Sequence, residues 1–251
     1  MLFPESALTT FRVIGPGRAG SSMSTALVRV GWTSLGSLAR GQPVAGAAHG
    51  TDYAIVAVSD ADIAAVAGAI EPDPAAVLVH LAGSAGTEIL GGHERRAAVH
   101  PLVSLTRERG ADVLMSGVWF GVEADAGATE AAGRLVTALG GRSLPVPADR
   151  RALYHATAAI ASNHLVALLG QVERLASELG LPAEAFIALA RGSLENAAAL
   201  GATGALTGPV SRGDWKTVDR HRRALPVEER DLYEALAAAA ARLAGRELPT
   251  P

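Results

Sequence analysis

Between Phe11 and about Val146, short continuous apolar runs alternate with stretches whose apolar residues recur at helical spacing. This alternation predicts βαβ units and a mainly parallel sheet, since a strand covered by helices on both faces needs no polar side. The first strand is read at Phe11–Ile14, a helix follows from about Arg18, and a second strand ends near Ser37. Gly41–Gly50 is short and rich in small residues, so the helix before the third strand is expected to be abbreviated or missing. DYAIVAVSD reads as a buried strand ending at Ser59-Asp60, with Asp60 as the N-cap of the helix ADIAAVAGAI. AVLVHLAGSAG is the next strand and turn, and its His80 is read as a core histidine. AAVHPLVSL gives a strand ending at His100-Pro101, since Pro101 cannot continue it. SGVWFGVEA is a further strand, AGATEAAGRLVTALGG an amphipathic helix, and RSLPVP a last strand with a proline-marked boundary.

After Pro147 the strand-like pattern stops and helical periodicity rich in Ala and Leu takes over. The expected organisation is an α/β fold with a mainly parallel sheet domain over residues 1–147 and an all-helical domain over 148–251. Its first helix, roughly Asp149 to Gly180, is apolar on too many faces for a lone surface helix and is expected at a domain junction or dimer interface. That helix carries Tyr154, His155, Ser162, Asn163 and His164. His155 and Ser162 lie two α-helical turns apart and should share a face, whereas the adjacent Tyr154 and His155 should diverge. These polar groups either line a wet cleft or satisfy one another. Pro182 opens the next helix, which GATGAL ends. Gly208, Pro209 and Gly213 predict a rigid loop that presents Arg212 as a candidate anion clamp, and Asp214 is the expected N-cap of a helix through His221.

Composition narrows the function classes. A net charge of −3 with scattered basic residues leaves no electrostatic footprint for nucleic acid. Cysteine is absent, which excludes disulfides, thiolate nucleophiles and zinc–sulfur sites, and no metal centre is expected. The N-terminus MLFPESALTT has neither a basic region nor a long apolar core, and no uncharged apolar run is read as long enough to span a bilayer, so a cytoplasmic location without membrane partners is expected. Lys216 is the sole lysine, so any lysine chemistry must use it.

The chemistry concentrates in Gly15-Pro16-Gly17-Arg18-Ala19-Gly20, a G-x-G-x-x-G pattern directly after a strand and at the start of a helix. Gly15 allows the tight turn, Gly17 allows close approach of a pyrophosphate, and Gly20 allows the helix to pack on the strand. The competing reading is a tight α/β turn without a ligand. No Asp or Glu occurs between Gly15 and Thr51, while Ser37 and Arg40 stand where the second strand runs out, so NADP is expected in preference to NAD. Arg40 would read the 2′-phosphate, or is a solvated loop arginine. Ser59, Asp60, Gly83 and Ser84 stand at the carboxyl ends of later strands, the end that faces ligand in such sheets, with Gly83 and Ser84 near the nicotinamide half. Asp60 is read as a cap before a catalytic acid. His100 either orients substrate or bonds backbone.

The segments GPGRAG, HLAG, VHPL, VWFGVEA, YHATAAIASNHLVALL and LTGPVSRGDWKTVDRH together resemble a bacterial family of Rossmann-like NADP-binding proteins with a helical C-terminal domain of unknown function. That family looks like a relative of the ketopantoate, pyrroline-carboxylate, prephenate, hydroxyisobutyrate and 6-phosphogluconate dehydrogenases. The resemblance implies a homodimer, a small-molecule substrate between the domains, and hydride transfer between NADPH and a carbonyl or imine, a ketopantoate-like 2-oxo acid being the specific expectation. His155–Leu165 also looks like the prephenate dehydrogenase helix that offers a histidine to substrate, with the spacing off by one residue at Ser162. No lysine stands on this helix where related dehydrogenases use one, so the implied proton donor is His155 or a water held by Asn163 or Ser162. Asn163 would fix the carbonyl, and Arg212 or His100 the carboxylate. The alternative is a non-catalytic NADP-binding sensor or regulatory dimer.

Overall fold

The computed structural model of the chain describes residues 9–106 and 108–247, so the reading of the N-terminus over residues 1–8 lies outside the described residues. Seven strands form one sheet in the order β2-β1-β3-β4-β5-β6-β7. They are β1 (Thr10–Ile14), β2 (Thr33–Leu38), β3 (Tyr53–Val56), β4 (Val77–His80), β5 (Arg96–Pro101), β6 (Trp119–Ala124) and β7 (Arg142–Pro145). Every neighbouring pair is parallel except β5 and β6, which run antiparallel with His100 opposite Gly121. The helices of this part are α1 (Arg18–Arg29), α2 (Ile63–Gly68), α3 (Gly110–Leu114), α4 (Thr129–Ala138) and α5 (Arg151–Ala159). The α3 helix was not expected; at five residues it is too short to show helical periodicity in the sequence. Between β2 and β3 only the single turn Ala45–Ala47 remains, as the small residues there predicted.

The apolar runs place consecutive residues on opposite faces of the sheet. Phe11, Val13, Tyr53 and Ile55 join one core with Met23 and Leu27 of α1 and Leu135 of α4. Ile14, Ala54 and Val56 join the other with Ile63 of α2 and Leu90. Each fully buried Ile, Leu or Phe contributes roughly 1.5–3 kcal/mol, so the continuous apolar strands fix both layers at once. In sequence β1 is followed by β2 on one side and β3 on the other, so the chain reverses direction across the sheet at β1. A crevice opens at such a reversal, at the carboxyl ends of the strands.

The chain divides into two compact units between Ser162 and Asn163, later than the boundary expected at 147/148. The reason is that α5 is tied to the sheet: the Arg151 Nη2 donates to Glu123 Oε2 of β6 at 2.9 Å, and Tyr154 bonds His100 of β5 at 2.7 Å. The division falls inside a π-helical turn, Ile160–His164, that joins α5 to α6 (Leu165–Glu178). The helical stretch Ala148–Glu178 is by length and composition long and apolar enough to cross a membrane, contrary to the reading of the sequence, and none of its apolar window is buried. Its first turns, however, carry the Arg151 and Tyr154 contacts to the sheet.

The second unit is helical: α6, α7 (Ala183–Ala205, broken at Gly201), α8 (Pro209–Arg212), α9 (Trp215–Ala224) and α10 (Val227–Leu243). Gln171 of α6 donates to the Glu229 carbonyl at 2.8 Å, and Arg174 pairs with the Glu229 carboxylate. Val210, Ala237 and Ala241 form a small core with Trp215 and Tyr233 against it. Pro209–Arg212 is a helical turn where a rigid loop was expected, because Pro209 at its first position presets the helical φ and Gly213 ends it in the left-handed conformation. Asp214 caps α9 as expected, accepting from the Thr217 N–H at 3.1 Å.

Candidate functional site

The turn after β1 follows from its glycines. Gly15 has φ +93°, and a Cβ there would come within 2.8 Å of the Ala57 carbonyl oxygen. A Cβ on Gly20 would collide with the Gly15 carbonyl oxygen, so α1 packs against β1 only with glycine there. At Gly17 a Cβ would meet nothing, so the backbone at the helix start faces open space. The first helical bond is Ser21 N–H to the Gly17 carbonyl at 2.9 Å, which leaves the N–H groups of Arg18, Ala19 and Gly20 without helical acceptors. No acidic residue stands in this first turn, and α1 is not capped by a side chain. These features fit a dinucleotide pyrophosphate, which needs bare donors and the positive end of a helix.

Beside this turn lies a cavity of about 650 Å³ over the carboxyl ends of β1, β2 and β3. Gly15, Pro16, Gly17, Arg40 and Ser59 line it, together with Gln42 and Asp62, which the sequence reading did not single out. Ser37 does not line it: Leu38 does, and strand alternation puts Ser37 on the other face. Arg40 is 91% exposed along its side chain and donates to Asp62 Oδ2 at 3.1 Å. The Ser59 hydroxyl donates to the same carboxylate at 2.6 Å. This hydrogen bond, with the Arg40 charge beside it, holds the Asp62 carboxyl below the usual carboxylate range. An acidic group thus enters the cavity from the turn after β3, where a scan of the region after the glycines could not find it.

Asp60 corrects the expectation of an N-cap. The α2 helix starts at Ile63 with no side-chain cap bond, and the Asp60 carboxylate instead accepts from the hydroxyl of Ser84, joining the turns after β3 and β4. One residue before Ser84, Gly83 is buried where two imidazoles converge. A Cβ there would lie 2.7 Å from His100 Cε1 and 2.8 Å from His155 Cδ2, so only glycine fits. His100 Nδ1 is 2.7 Å from the Tyr154 hydroxyl, and the His100 ring meets that of His155 edge-on with centroids 6.2 Å apart. Tyr154 and His155, expected to diverge as neighbours, both contact His100, because its ring stands at the end of β5 against the side of α5. The sequence reading named Tyr154 among the polar groups of this helix without giving it a partner or a role, and the structure supplies the partner, His100.

Electrostatics separate the histidines. His80 is fully buried, with Nε2 3.0 Å from the Gly86 carbonyl and Nδ1 accepting from the Ala82 N–H at 3.2 Å, which makes it the core histidine expected. Burial lowers its pKa. Burial, reinforced by the neighbouring His155 and Arg151, pushes His100 down to about 4, so it is neutral at physiological pH. His100 can therefore hold a carboxylate only as a neutral donor. Beneath them Arg151, 4% exposed, uses Nε and Nη2 on Glu123, and its Nη1 has no partner among the described residues. Burial raises the Glu123 pKa, but the Thr87 N–H and Arg151 outweigh it and keep Glu123 ionised.

Of the remaining candidates, Ser162 ends the first unit, and its relation to His155 changes. Because the π turn begins at Ile160, the α-helical spacing that put His155 and Ser162 on one face does not hold through Ser162. A π turn inserts one residue into the helical repeat, the same size as the one-residue offset in the resemblance. Asn163 and Arg212 belong to the second unit, where both are exposed. Among the described residues no group of three or more His, Asp or Glu is arranged to hold a metal.

A search of curated protein sequences finds no match. Residues 118–240 match the model of a domain of unknown function, DUF2520. Among solved structures the chain is similar to protein TM1727 from Thermotoga maritima, at 25% identity and TM-score 0.73 over 94% of this chain and 98% of that one. It is also similar to protein BF3122 from Bacteroides fragilis, at 20% identity and TM-score 0.77 with the same coverage. The Plasmodium falciparum pyrroline carboxylate reductase, solved with NADP bound, shares 11% identity at TM-score 0.61 over 94% of this chain and 98% of that one. At such identities the last two likenesses concern the fold, which is that of a Rossmann-like sheet followed by helices.

Proposed function

We propose that the protein is an oxidoreductase that uses NADP(H) to move a hydride to or from the carbonyl or imine of a small carboxylate-bearing metabolite, a 2-oxo acid being the specific guess. The observation that carries this reading is the Gly15–Gly20 turn, whose free N–H groups adjoin a cavity of about 650 Å³ bordered by Arg40. Gly15, Gly17, Arg18 and Ala19 would hold the pyrophosphate, and Arg40 would take the 2′-phosphate in exchange for Asp62. NADP in the P. falciparum pyrroline carboxylate reductase, and the provisional description of BF3122 as an NADP oxidoreductase, support the cofactor. Bound at this turn, the nicotinamide would supply or accept the hydride.

The chain's own residues would manage the proton. His155, beside Gly83, is the proposed donor, since imidazole suits proton transfer near neutral pH and His100 is held neutral. The test begins with nicotinamide fluorescence: NADPH binds in preference to NADH, and Arg40→Ala lowers NADPH affinity by roughly tenfold or more while sparing NADH. Failure of both nucleotides to bind at high micromolar concentration sinks the assignment. His155→Ala then lowers turnover of a 2-oxo acid by roughly 10²–10⁴ with NADPH affinity intact. A sensor without turnover is the second reading, favoured because the only lysine, Lys216, lies on α9 and none stands beside His155. In that case NADPH binds and no 2-oxo acid oxidises it.

We also infer that a second copy of the chain covers α7. That helix has no buried residue, and Leu189, Leu194 and Leu200 are 68%, 61% and 64% exposed. Light scattering should give a dimer mass, and Leu194→Glu should shift it toward monomer.

A further inference from the structure

The hydrogen bond between His100 and Tyr154 joins a strand end to a helix through two side chains 54 residues apart in sequence. Imidazole can engage it in either of two ways, and they leave opposite groups facing outward. If Nδ1 carries the proton, Nε2 is an acceptor; if Tyr154 donates, Nε2 carries the proton and is a donor. The surroundings decide between them. The phenol of Tyr154 lies over Gly121, where a Cβ would collide with its oxygen, and His100 Nδ1 is the only acceptor of the phenolic proton among the described residues. Phenol is also a stronger acid than neutral imidazole N–H, and an imidazole nitrogen is a stronger acceptor than a phenol oxygen. Burial favours the protonated phenol, while the Arg151 guanidinium, 5.8 Å from its ring, and the Gly121 N–H act the other way. Gly83, by its missing side chain, lets the His100 ring reach this position.

We propose that Tyr154 is a positioning residue: its hydroxyl donates to His100 Nδ1 and fixes His100 as a neutral imidazole whose Nε2–H is offered to an acceptor oxygen of the substrate. Nε2 itself has no partner among the described residues. The assignment of a substrate oxygen to this donor rests on the oxidoreductase reading; the tautomer does not. The site then presents two imidazoles with separate duties. His155 moves the proton, and His100 supplies a donor of fixed direction without adding positive charge. The ligand class that fits a fixed neutral donor is a carbonyl or carboxylate oxygen, not an ammonium or another N–H group.

The tautomer can be read directly. In the full chain labelled with ¹⁵N-histidine, two-bond ¹H–¹⁵N correlation at neutral pH should show His100 Nδ1 without a proton and shifted upfield as a hydrogen-bonded acceptor, with Nε2 protonated; the peaks are assigned by their loss in His100→Asn. In Tyr154→Phe the Nδ1 resonance should move downfield toward that of a free acceptor. The His100 titration midpoint should also rise from its value of about 4, since the donor that favours the neutral ring is gone. The groups that bear on this midpoint are His155 and Arg151 of α5, His80 of β4 and Asp60 after β3, all unchanged in the variant. A proton on Nδ1 in the unmodified chain overturns the proposal whether or not the variant folds, and so does an Nδ1 resonance that stays in place in folded Tyr154→Phe. A correct tautomer with no nucleotide binding would instead sink the oxidoreductase reading and leave Tyr154's role standing.

Discussion

The two ends of the row of strand carboxyl termini, at β1 and at β4 to β5, are built in opposite ways. The end at Gly15–Gly20 comes from consecutive residues, offers backbone groups, and carries its charges on exposed side chains, with Arg40 91% and Asp62 44% exposed. The end at Gly83 comes from the turn after β4, from β5 and β6, and from α5, and its charges are buried, with the Arg151 and Glu123 side chains 5% and 14% exposed. Water screens the first end, so its electrostatics can be rearranged by an arriving ligand at little cost. At the second the Arg151–Glu123 pair is shielded from it, and removing one partner leaves a desolvated charge. The first end is suited to exchange and the second to fixed geometry.

The largest expected effect tests that contrast directly. Glu123→Ala strands the buried Arg151 and should cost about 3–5 kcal/mol in denaturant unfolding, whereas Glu123→Gln combined with Arg151→Met should cost far less. If the single variant loses under 1 kcal/mol, this end is wetter than its geometry implies and the comparison fails.

The same contrast governs what the sequence could reveal. Gly15, Gly17 and Gly20 were legible because a turn between strand and helix is a local event, and their spacing carries the geometry. The two-layered sheet was legible for a similar reason, since continuous apolar runs such as YAIV can only be buried on both faces. Tyr154 was not legible, because its partner His100 is set by the pairing order of β4, β5 and β6 and by the docking of α5. Asp62 was missed because the search for an acid followed sequence distance from the glycines, while the cavity is closed by a turn after β3. Asp60 was misread as a cap because capping is a local rule, and its carboxylate answered a non-local partner, Ser84. The boundary expected at 147/148 follows directly on the last strand, β7, whereas the α5 contacts carry the first unit on to Ser162.

A moderate effect follows from the histidines His80 and His100. His100 has a pKa of about 4 in the folded chain, against about 6.5 when unfolded, so between these values the unfolded state binds more protons. Its contribution to stability is present above pH 6.5 and is lost as the pH falls through 4, on the order of 3 kcal/mol in all. His80, lowered by burial, adds in the same direction. Thermal midpoints measured from pH 7 down to pH 4 should fall, and Tyr154→Phe should flatten that fall. A midpoint independent of pH over this window would mean that the histidine end is open to water and its protons.

The smallest effect is expected at the exposed end, and it asks whether Asp62 competes with ligand. Its carboxylate accepts from Ser59 at 2.6 Å and from Arg40 at 3.1 Å, so a 2′-phosphate must displace it from the guanidinium. Asp62 also favours a plain ribose hydroxyl, which can donate to it, over a phosphate, which it repels. Asp62→Asn should therefore raise the preference for NADPH over NADH by roughly two- to fivefold, the modest size following from the exposure of both partners. The gain should shrink as salt is raised, because screening weakens an exposed pair first. A gain far above this range, or one insensitive to salt, would mean that Asp62 is desolvated when the nucleotide binds, and the two ends of the row would then differ less than the unliganded geometry implies. No gain at all would mean that the 2′-phosphate does not meet Arg40, and the preference for NADP would need another source in the cavity, of which Gln42 is the nearest polar side chain in sequence.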